Sequence, residues 1–194
     1  MKAVKLSGNY AILFAMKIGV ISDTHLTGPG LSARKVTSKL IYTTNETLEQ
    51  LQQILKPHFS GTGLILHAGD AVDLAVLEML ESFAPVRAVI GNMDSSQVRS
   101  RWPERDVVEA EGRSIGLIHG WGSPDGLPER VLESFDPSVE VIVFGHSHRS
   151  YCQRNGKVLL FNPGSATDRR FAPYRSVGIL HLENKISGEI IKLE

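Results

Sequence analysis

The sequence lacks the features that define several protein classes. Among its 194 residues there is one cysteine, Cys152, so an internal disulfide is excluded and no oxidising compartment is needed. No apolar run approaches the length that spans a bilayer, so no membrane association is expected. Lys and Arg number 21, as do Asp and Glu, which argues against strong nonspecific nucleic-acid binding. What remains is a soluble globular protein, for which we expect a cytoplasmic location.

The first fifteen residues stand apart from the rest. They hold two early lysines and a short apolar run, a weak resemblance to a signal peptide, but no cleavage-type segment follows before the first strand pattern. Met16 begins MKIGVISDTH, which has the pattern of a domain start. We expect a single domain over residues 16–194. Residues 1–15 would be an N-terminal extension, an extra edge strand or the product of an upstream start assigned in error.

The rest of the chain alternates apolar strands with amphipathic helices. Its first half has three predicted buried strands, at residues 17–22, 63–70 and 86–94. Helices are predicted over residues 44–55, ended by Pro57, and over residues 71–83. The second half has another buried strand at residues 139–144 and hairpins turning at Glu111-Gly112, Asn155-Gly156 and Asn184-Lys185. The pattern predicts an α/β fold of two packed sheets with helices outside.

Metal-ligating side chains gather where these strands end. They occur in five motifs, SDTH, HAGD, GNMD, LIHG and GHSH, and the residues are Asp23, His25, Asp70, Asn92, Asp94, His119, His146 and His148. In open α/β sheets ligands bind outside the carboxyl ends of the strands, so five strands would bring these residues to one edge. In extended backbone, residues two apart point the same way, which would direct both members of D-x-H and of H-x-H into one cavity.

The ligand types restrict the metal. Carboxylate, imidazole and amide ligands together suit Mn²⁺, Fe²⁺, Zn²⁺, Co²⁺ or Ni²⁺, whereas Ca²⁺ and Mg²⁺ prefer mostly oxygen. Seven of these eight residues, all but Asp94, are too many ligands for one ion but suit two ions about 3.5–4 Å apart that share a carboxylate. We expect two divalent ions, Mn²⁺ foremost, with Asp70 as the candidate bridge.

The ordered set D-x-H, GD, GN-x-D, HG and GH-x-H resembles the calcineurin-like metallophosphoesterases. The small YfcE-like phosphodiesterases look closest, and NPGS at residues 162–165 also matches them. The resemblance covers residues 16 to about 193. It implies a four-layer α/β/β/α sandwich of two mixed sheets, with the metal site at the carboxyl ends of the strands. It also implies hydrolysis of a phosphate ester, in which a hydroxide held between two metals attacks phosphorus in line, with catalytic roles for Asp70, Asn92 and His119.

The resemblance further assigns ligands to each ion. One ion would take Asp23, His25, Asp70 and His148, and the other Asp70, Asn92, His119 and His146. Met93 departs from the family pattern, since many members carry there a histidine that is thought to protonate the leaving group. Protonation would then come from elsewhere, from water or not at all, which favours good leaving groups. Asp94 is expected to orient His119 or another group behind the ligands.

Other residues have weaker assignments. Arg169 and Arg170 are candidates to reach a substrate phosphate, although a solvated loop pair is at least as good an interpretation. His67 is expected to be a hydrogen-bonded core residue rather than a ligand. Trp121 would either form a wall of the pocket or simply pack against neighbouring residues. Cys152 has no support as a nucleophile.

The sequence therefore predicts a dinuclear phosphodiesterase that acts on a small phosphodiester. The alternative is a non-catalytic metal-binding scaffold, like the retromer subunit that resembles these enzymes but has a degraded metal site. All seven ligand positions are intact here, which favours the enzyme. The family analogy suggests a homodimer or a higher oligomer. The substrate stays open between a cyclic nucleotide, another small diester and a monoester.

Overall fold

The protein is described by a computed structural model. It describes residues 16–26 and 47–194 and the backbone of two short strands, β1 (Val4–Leu6) and β2 (Asn9–Ala11), which pair antiparallel with each other. The predicted start of the first helix at residue 44 lies outside the described residues. That residues 16–194 form one domain preceded by an extension stays a prediction.

The first large sheet contains five strands. Their spatial order is β12 (Ser187–Leu193), β11 (Arg175–Leu182), β3 (Met16–Ile21), β4 (Leu64–His67) and β5 (Val86–Ala88). β3, β4 and β5 run parallel, whereas β11 is antiparallel to both β3 and β12. The carboxyl ends of the three parallel strands therefore meet at one edge of the sheet.

The second large sheet also contains five strands. Their order is β6 (Arg105–Ala110), β7 (Arg113–Ile118), β8 (Val141–Val143), β10 (Val158–Asn162) and β9 (Tyr151–Asn155). β7, β8 and β10 are parallel, and the outer strands pair antiparallel with them. Both sheets are thus mixed, and the predicted hairpins at Glu111-Gly112, Asn155-Gly156 and Asn184-Lys185 join β6 to β7, β9 to β10 and β11 to β12.

Within residues 47–194 four helices cover the sheets. They are α1 (Leu48–Phe59), α2 (Leu74–Glu81), α3 (Ser96–Arg101) and α4 (Leu127–Leu132). Thr47 begins α1 with a capping box, in which its hydroxyl accepts from the Gln50 backbone and the Gln50 side chain accepts from the Thr47 backbone. Within the described part of the chain, no helix is long and apolar enough to cross a membrane.

Alternating residues on the strands separate three apolar layers. Val20 of β3 and Val143 of β8 belong to the core between the two sheets, which Phe161 completes. The residue beside Val20, Ile21, faces the opposite way and joins the core under α1 and α2. Ile142, beside Val143, joins a third core under α4. The order of layers is helices, sheet, sheet, helix, so the predicted α/β/β/α sandwich is confirmed.

One helix end was predicted wrongly, and one helix was not predicted. Pro57 does not end α1, which continues to Phe59. Proline removes one hydrogen bond, but Phe59 is fully buried, and a large aromatic contributes roughly 2–3 kcal/mol when buried. Helix α3 was not predicted, because its six residues carry a single buried apolar side chain, Val98, and give no periodic pattern.

Candidate metal centre

Five loops deliver the predicted ligands to one edge of the sandwich. Asp23 and His25 follow β3, Asp70 follows β4, and Asn92 follows β5. From the second sheet, His119 follows β7, while His146 and His148 follow β8. The loops after the two sheets are tied together, since the backbone N–H of His146 donates to both carboxylate oxygens of Asp23, at 3.2 and 3.1 Å.

The backbone at these residues differs from the sequence-based prediction. Five of the ligand positions have left-handed φ angles, which are +52° at Asp23, +47° at His25, +58° at Asp70, +69° at His146 and +58° at His148. The two i, i+2 pairs are therefore not extended, and left-handed backbone, rather than a strand pleat, turns their side chains inward. Non-glycine residues in this conformation cost on the order of 1–2 kcal/mol each and cluster at functional sites.

One group of side chains surrounds His148. Its Nε2 lies 3.4 Å from Asp23 Oδ1 and 3.1 Å from Nε2 of His25. The His25 Nε2 is in turn 4.0 Å from Asp23 Oδ1. These three side chains offer one donor atom each, all within 4.8 Å of one another, which suits a metal ion.

A second group surrounds His119. Its Nε2 lies 3.4 Å from Asp70 Oδ2 and 3.3 Å from Asn92 Oδ1. The same amide oxygen is 3.2 Å from His146 Nδ1. Asp23, Asp70 and His119 also place one donor atom each within 4.8 Å, so Asp23 borders both groups.

Asp70 lies between the two groups. Its Oδ2 is 3.8 Å from His25 Nε2 on one side and 3.4 Å from His119 Nε2 on the other. The backbone N–H of Met93 donates to its other oxygen at 2.7 Å, which fixes the carboxylate plane. This orientation fits the bridging role suggested by the sequence.

Hydrogen bonds determine which ring nitrogen each histidine offers. Nδ1 of His119 faces the Ala68 carbonyl oxygen at 2.8 Å, and Nδ1 of His148 faces Asp168 Oδ2 at 2.5 Å. Both rings therefore donate from Nδ1 and leave Nε2 for a metal. In His146 the arrangement is reversed, since Nε2 faces the Gly122 carbonyl oxygen at 2.9 Å and Nδ1 points at the site.

The carboxylates and imidazoles shift one another's pKa values. Burial would raise the pKa of Asp70, but the neighbouring His119 and His25 and the Met93 amide outweigh burial and lower it to about 2. Burial would likewise lower the pKa of His119, yet Asp70 and Asp23 raise it to about 9. For His25 burial prevails and lowers the pKa. The Asp70 and Asp23 carboxylates thus stabilise positive charge placed beside them, which a bound divalent cation would also bring.

Asp94 holds backbone groups behind the ligands rather than the His119 ring, and both were alternatives expected for it. Its carboxylate accepts from the backbone N–H groups of Asp70, Val72 and Gly91, at 3.1, 2.6 and 2.6 Å. It therefore joins the loops after β4 and β5 and positions the Asp70 backbone. The expected contact with His119 is absent, because the Ala68 carbonyl orients that ring.

Close packing under the ligands requires glycine at two positions. A Cβ at Gly145 would lie 2.0 Å from Ser22 Oγ and 2.8 Å from Asp23 Oδ2. A Cβ at Gly91 would lie 2.1 Å from Asp70 Oδ1. Any larger residue at either position would displace a carboxylate ligand.

The NPGS segment lies beneath the site. Asn162 Nδ2 donates to the Gly145 carbonyl oxygen at 2.8 Å, and Ser165 Oγ donates to the Asp23 carbonyl oxygen at 2.7 Å. Three residues further on, Asp168 contacts His148. The sequence reasoning missed Asp168, since no local pattern links an acid at this position to His148.

The remaining candidates lie around or away from the site. Trp121, Arg169 and Arg170 are exposed. His67 is fully buried, and burial lowers its pKa to about 3, with Nδ1 accepting from the Gly69 N–H at 3.2 Å. It is a core histidine, as predicted. Cys152 is an exposed residue of β9. Partial desolvation of its thiol raises the pKa of that group.

The donor set fits divalent transition metals. Carboxylate oxygens, an amide oxygen and imidazole nitrogens lie close enough together to coordinate shared metal ions. In three of the histidines the other ring nitrogen already faces a hydrogen-bond acceptor, which leaves one nitrogen for a metal.

Comparison with known proteins identifies the family. The chain belongs to the calcineurin-like phosphoesterase superfamily, whose domain model matches residues 16–185. It is 33% identical over 182 residues to a probable metallophosphoesterase of Methanocaldococcus jannaschii, covering 92% of this chain and 82% of the relative. A phosphodiesterase of the same organism is 26% identical over 190 residues, with 91% and 99% covered. The protein is a metal-dependent phosphoesterase.

Solved structures share the fold. An archaeal phosphodiesterase superposes with a TM-score of 0.63 at 22% identity, covering 91% of this chain and all (100%) of that one. Vacuolar protein sorting 29 of Cryptosporidium parvum gives 0.62 at 18% identity, with 92% and 99% covered. At these identities the likeness concerns the fold alone.

Proposed function

We propose that the protein is a dinuclear metal-dependent phosphodiesterase that hydrolyses a small phosphodiester by in-line attack of a hydroxide on phosphorus. The position of Asp70 carries this proposal. One carboxylate oxygen faces His25 at 3.8 Å and His119 at 3.4 Å, so a single side chain lies within reach of two separate ligand groups. A mononuclear site would not need both groups.

The ligands would divide as the family pattern suggests. Asp23, His25, Asp70 and His148 would hold one ion, and Asp70, Asn92, His119 and His146 the other. When bound, such a pair of ions supplies an activated hydroxide and neutralises charge on the phosphoryl oxygens. Mn²⁺ is our first candidate, with Ni²⁺, Zn²⁺, Fe²⁺ and Co²⁺ as alternatives.

The protein's own groups orient the reaction. Asn92, between His119 and His146, places its amide oxygen at the open side of the second group, at 3.3 and 3.2 Å. Hydrolysis forms a phosphorus–oxygen bond to the attacking oxygen and breaks the bond to the leaving alcohol, which must gain a proton. Met93 has no proton to give, so leaving groups of low pKa should react fastest.

The substrate is expected to be a small diester rather than a nucleic acid. The zero net charge offers no general attraction to a polyanion. A relative of 26% identity is named a phosphodiesterase. A homodimer or higher oligomer and a cytoplasmic location remain predictions from the sequence.

Hydrolysis of bis-p-nitrophenyl phosphate by metal-stripped protein, with Mn²⁺ added back, tests the proposal. We expect metal-dependent release of p-nitrophenol that Asp70→Asn and His119→Ala each reduce by roughly 10³-fold or more. Asp136→Asn and His181→Ala, which make the same chemical changes outside the site, serve as matched controls and should retain activity.

The same experiment tests the scaffold alternative. Stoichiometric metal binding without turnover in Mn²⁺, Ni²⁺, Co²⁺ or Zn²⁺ would contradict the enzyme and support a scaffold. The likeness to vacuolar protein sorting 29 does not favour that alternative, since it concerns the fold alone.

A further inference from the structure

A cavity opens directly beside His148. It has a volume of about 500 Å³ and is lined by Arg149, Ser150, Arg170, Phe171 and Tyr174 together with two small residues between the last two. Arg149 is the residue after His148, and the Phe171 ring meets the His148 ring edge to face, with centroids 5.9 Å apart. The cavity therefore lies next to His148, and Phe171 contacts both the cavity and this ring.

The aromatic wall of this cavity is unusually accessible. Among the described residues only three large hydrophobic side chains are exposed, Val107, Trp121 and Phe171, and Phe171 is 52% exposed. An aromatic ring held half in water beside a reaction centre offers a face on which a flat ligand group can stack.

The loop that carries Phe171 is anchored to the metal centre. The Asp168 carboxylate contacts His148 Nδ1 and also accepts from the backbone N–H groups of Arg170 and Phe171, at 2.7 and 3.3 Å. One side chain thus sets both the His148 ring and the start of the cavity wall. On the other wall Ser150 Oγ and Tyr174 Oη lie 2.8 Å apart.

The charges around the cavity are positive. Arg149 and Arg170 both line it, and Lys192 Nζ lies 4.3 Å from the centre of the Tyr174 ring. Guanidinium groups bind phosphate through paired, charge-assisted hydrogen bonds.

We propose that this cavity binds one arm of the diester, and that the arm is a nucleotide, with its base against Phe171 and a second phosphate on Arg149 and Arg170. The inference rests on the proposed function, because it names the substrate of that same site. The proposed substrate carries a base and a second phosphate on one side of the scissile ester. The metal centre itself selects neither feature.

A matched substrate pair tests the cavity. Thymidine 5′-(p-nitrophenyl phosphate) and the same compound with a 3′-phosphate share one scissile ester, and water cleaves both to the 5′-phosphate and p-nitrophenol. We expect kcat/KM to be roughly tenfold higher with the 3′-phosphate. In Arg149→Ala and Arg170→Ala this ratio should fall towards one. Arg101→Ala, which removes an exposed arginine from α3, should keep the ratio.

Binding gives a readout that does not depend on turnover. Calorimetry on metal-loaded protein should show thymidine 3′,5′-bisphosphate binding roughly tenfold more tightly than thymidine 5′-monophosphate, with the difference lost in Arg170→Ala. Phe171→Ala should weaken both nucleotides by roughly tenfold relative to inorganic phosphate.

The outcomes separate the two proposals. Turnover of both substrates with equal kcat/KM overturns the nucleotide cavity and leaves the proposed function standing. If no metal supports turnover of either substrate, the proposed function fails, and the calorimetric comparison of the two nucleotides then tests the cavity. An Arg170-dependent preference for the bisphosphate supports it, and equal binding of the two nucleotides overturns it.

Discussion

The floor and the rim of the site are built in opposite ways. The floor consists of Asp23, Asp70 and His119, which are at most 3% exposed and are held by backbone groups from both sheets. The rim holds Phe171 and Trp121, which are half exposed and lie on loops. A floor residue cannot change without disturbing packed neighbours, whereas a rim residue can. The comparison indicates that packing between the two sheets fixes the floor, and we expect the exposed rim to tolerate substitution.

The strongest test of the rigid floor is Gly145→Ala. Because the added Cβ would collide with Ser22 and Asp23, we expect a loss of about 2–3 kcal/mol in the free energy of unfolding and a large loss of Mn²⁺ affinity. Urea denaturation and metal titration would measure the two effects.

Gly112→Ala is the control for this substitution. Gly112 has a φ of +69° but nothing within 4 Å of its Cβ position, so only backbone strain of about 1 kcal/mol is expected, with metal affinity unchanged. Equal metal affinity in both variants would show that the floor tolerates displacement.

Asp168 joins the floor to the rim, so its removal should have an intermediate effect. Without this acceptor the His148 ring loses its orientation, and we expect Asp168→Ala to bind Mn²⁺ roughly 10- to 100-fold more weakly. Calorimetry on metal-stripped protein would measure it. Asp168→Asn keeps an acceptor and should recover part of the affinity; wild-type affinity in both variants would refute a positioning role.

Buried His67 makes the region behind the floor sensitive to acid. Its pKa is lowered to about 3 in the folded protein from an ordinary value of 6.5. Between these values the unfolded chain takes up a proton that the folded chain refuses, so stability falls as the pH falls, by about 1.4 kcal/mol per pH unit.

His67→Gln should remove this dependence. We expect the stability difference between wild type and variant, measured in chelator by urea denaturation at pH 7.5 and pH 5, to shrink or reverse at the lower pH. A difference that does not change with pH would contradict burial of a neutral imidazole.

The smallest effect is expected at the rim. Trp121→Ala should change the free energy of unfolding by less than about 0.5 kcal/mol, since half of the side chain is already in water. Chemical denaturation would measure it. A loss of several kcal/mol in the free energy of unfolding would mean that Trp121 is packed like the floor residues and would contradict the distinction between floor and rim.

The sequence predicted which residues form the floor better than it predicted their backbone geometry. Strand ends located Asp70 and His119 because apolar runs that finish in polar residues are a local signal. The left-handed backbone at Asp23 and His148 could not be read from residue types, since only packing between the two sheets imposes it. The same holds for the Asp94 contacts with three backbone amides.

Long-range contacts explain the other omissions. Asp168 lies twenty residues from His148 in sequence, and nothing local connects them. Pro57 predicts a helix end because proline usually ends a helix, but the burial of Phe59 outweighs that preference. Sequence patterns thus located the elements and the candidate ligands, while tertiary packing decided how they face each other.

The most direct test of the central claim is electron paramagnetic resonance of the metal-stripped protein during titration with Mn²⁺. A carboxylate shared by two ions predicts that two equivalents bind and give a spin-coupled spectrum, and that Asp70→Asn gives uncoupled ions or a single ion. One equivalent with the six-line spectrum of isolated Mn²⁺ in the wild-type protein would contradict the dinuclear centre.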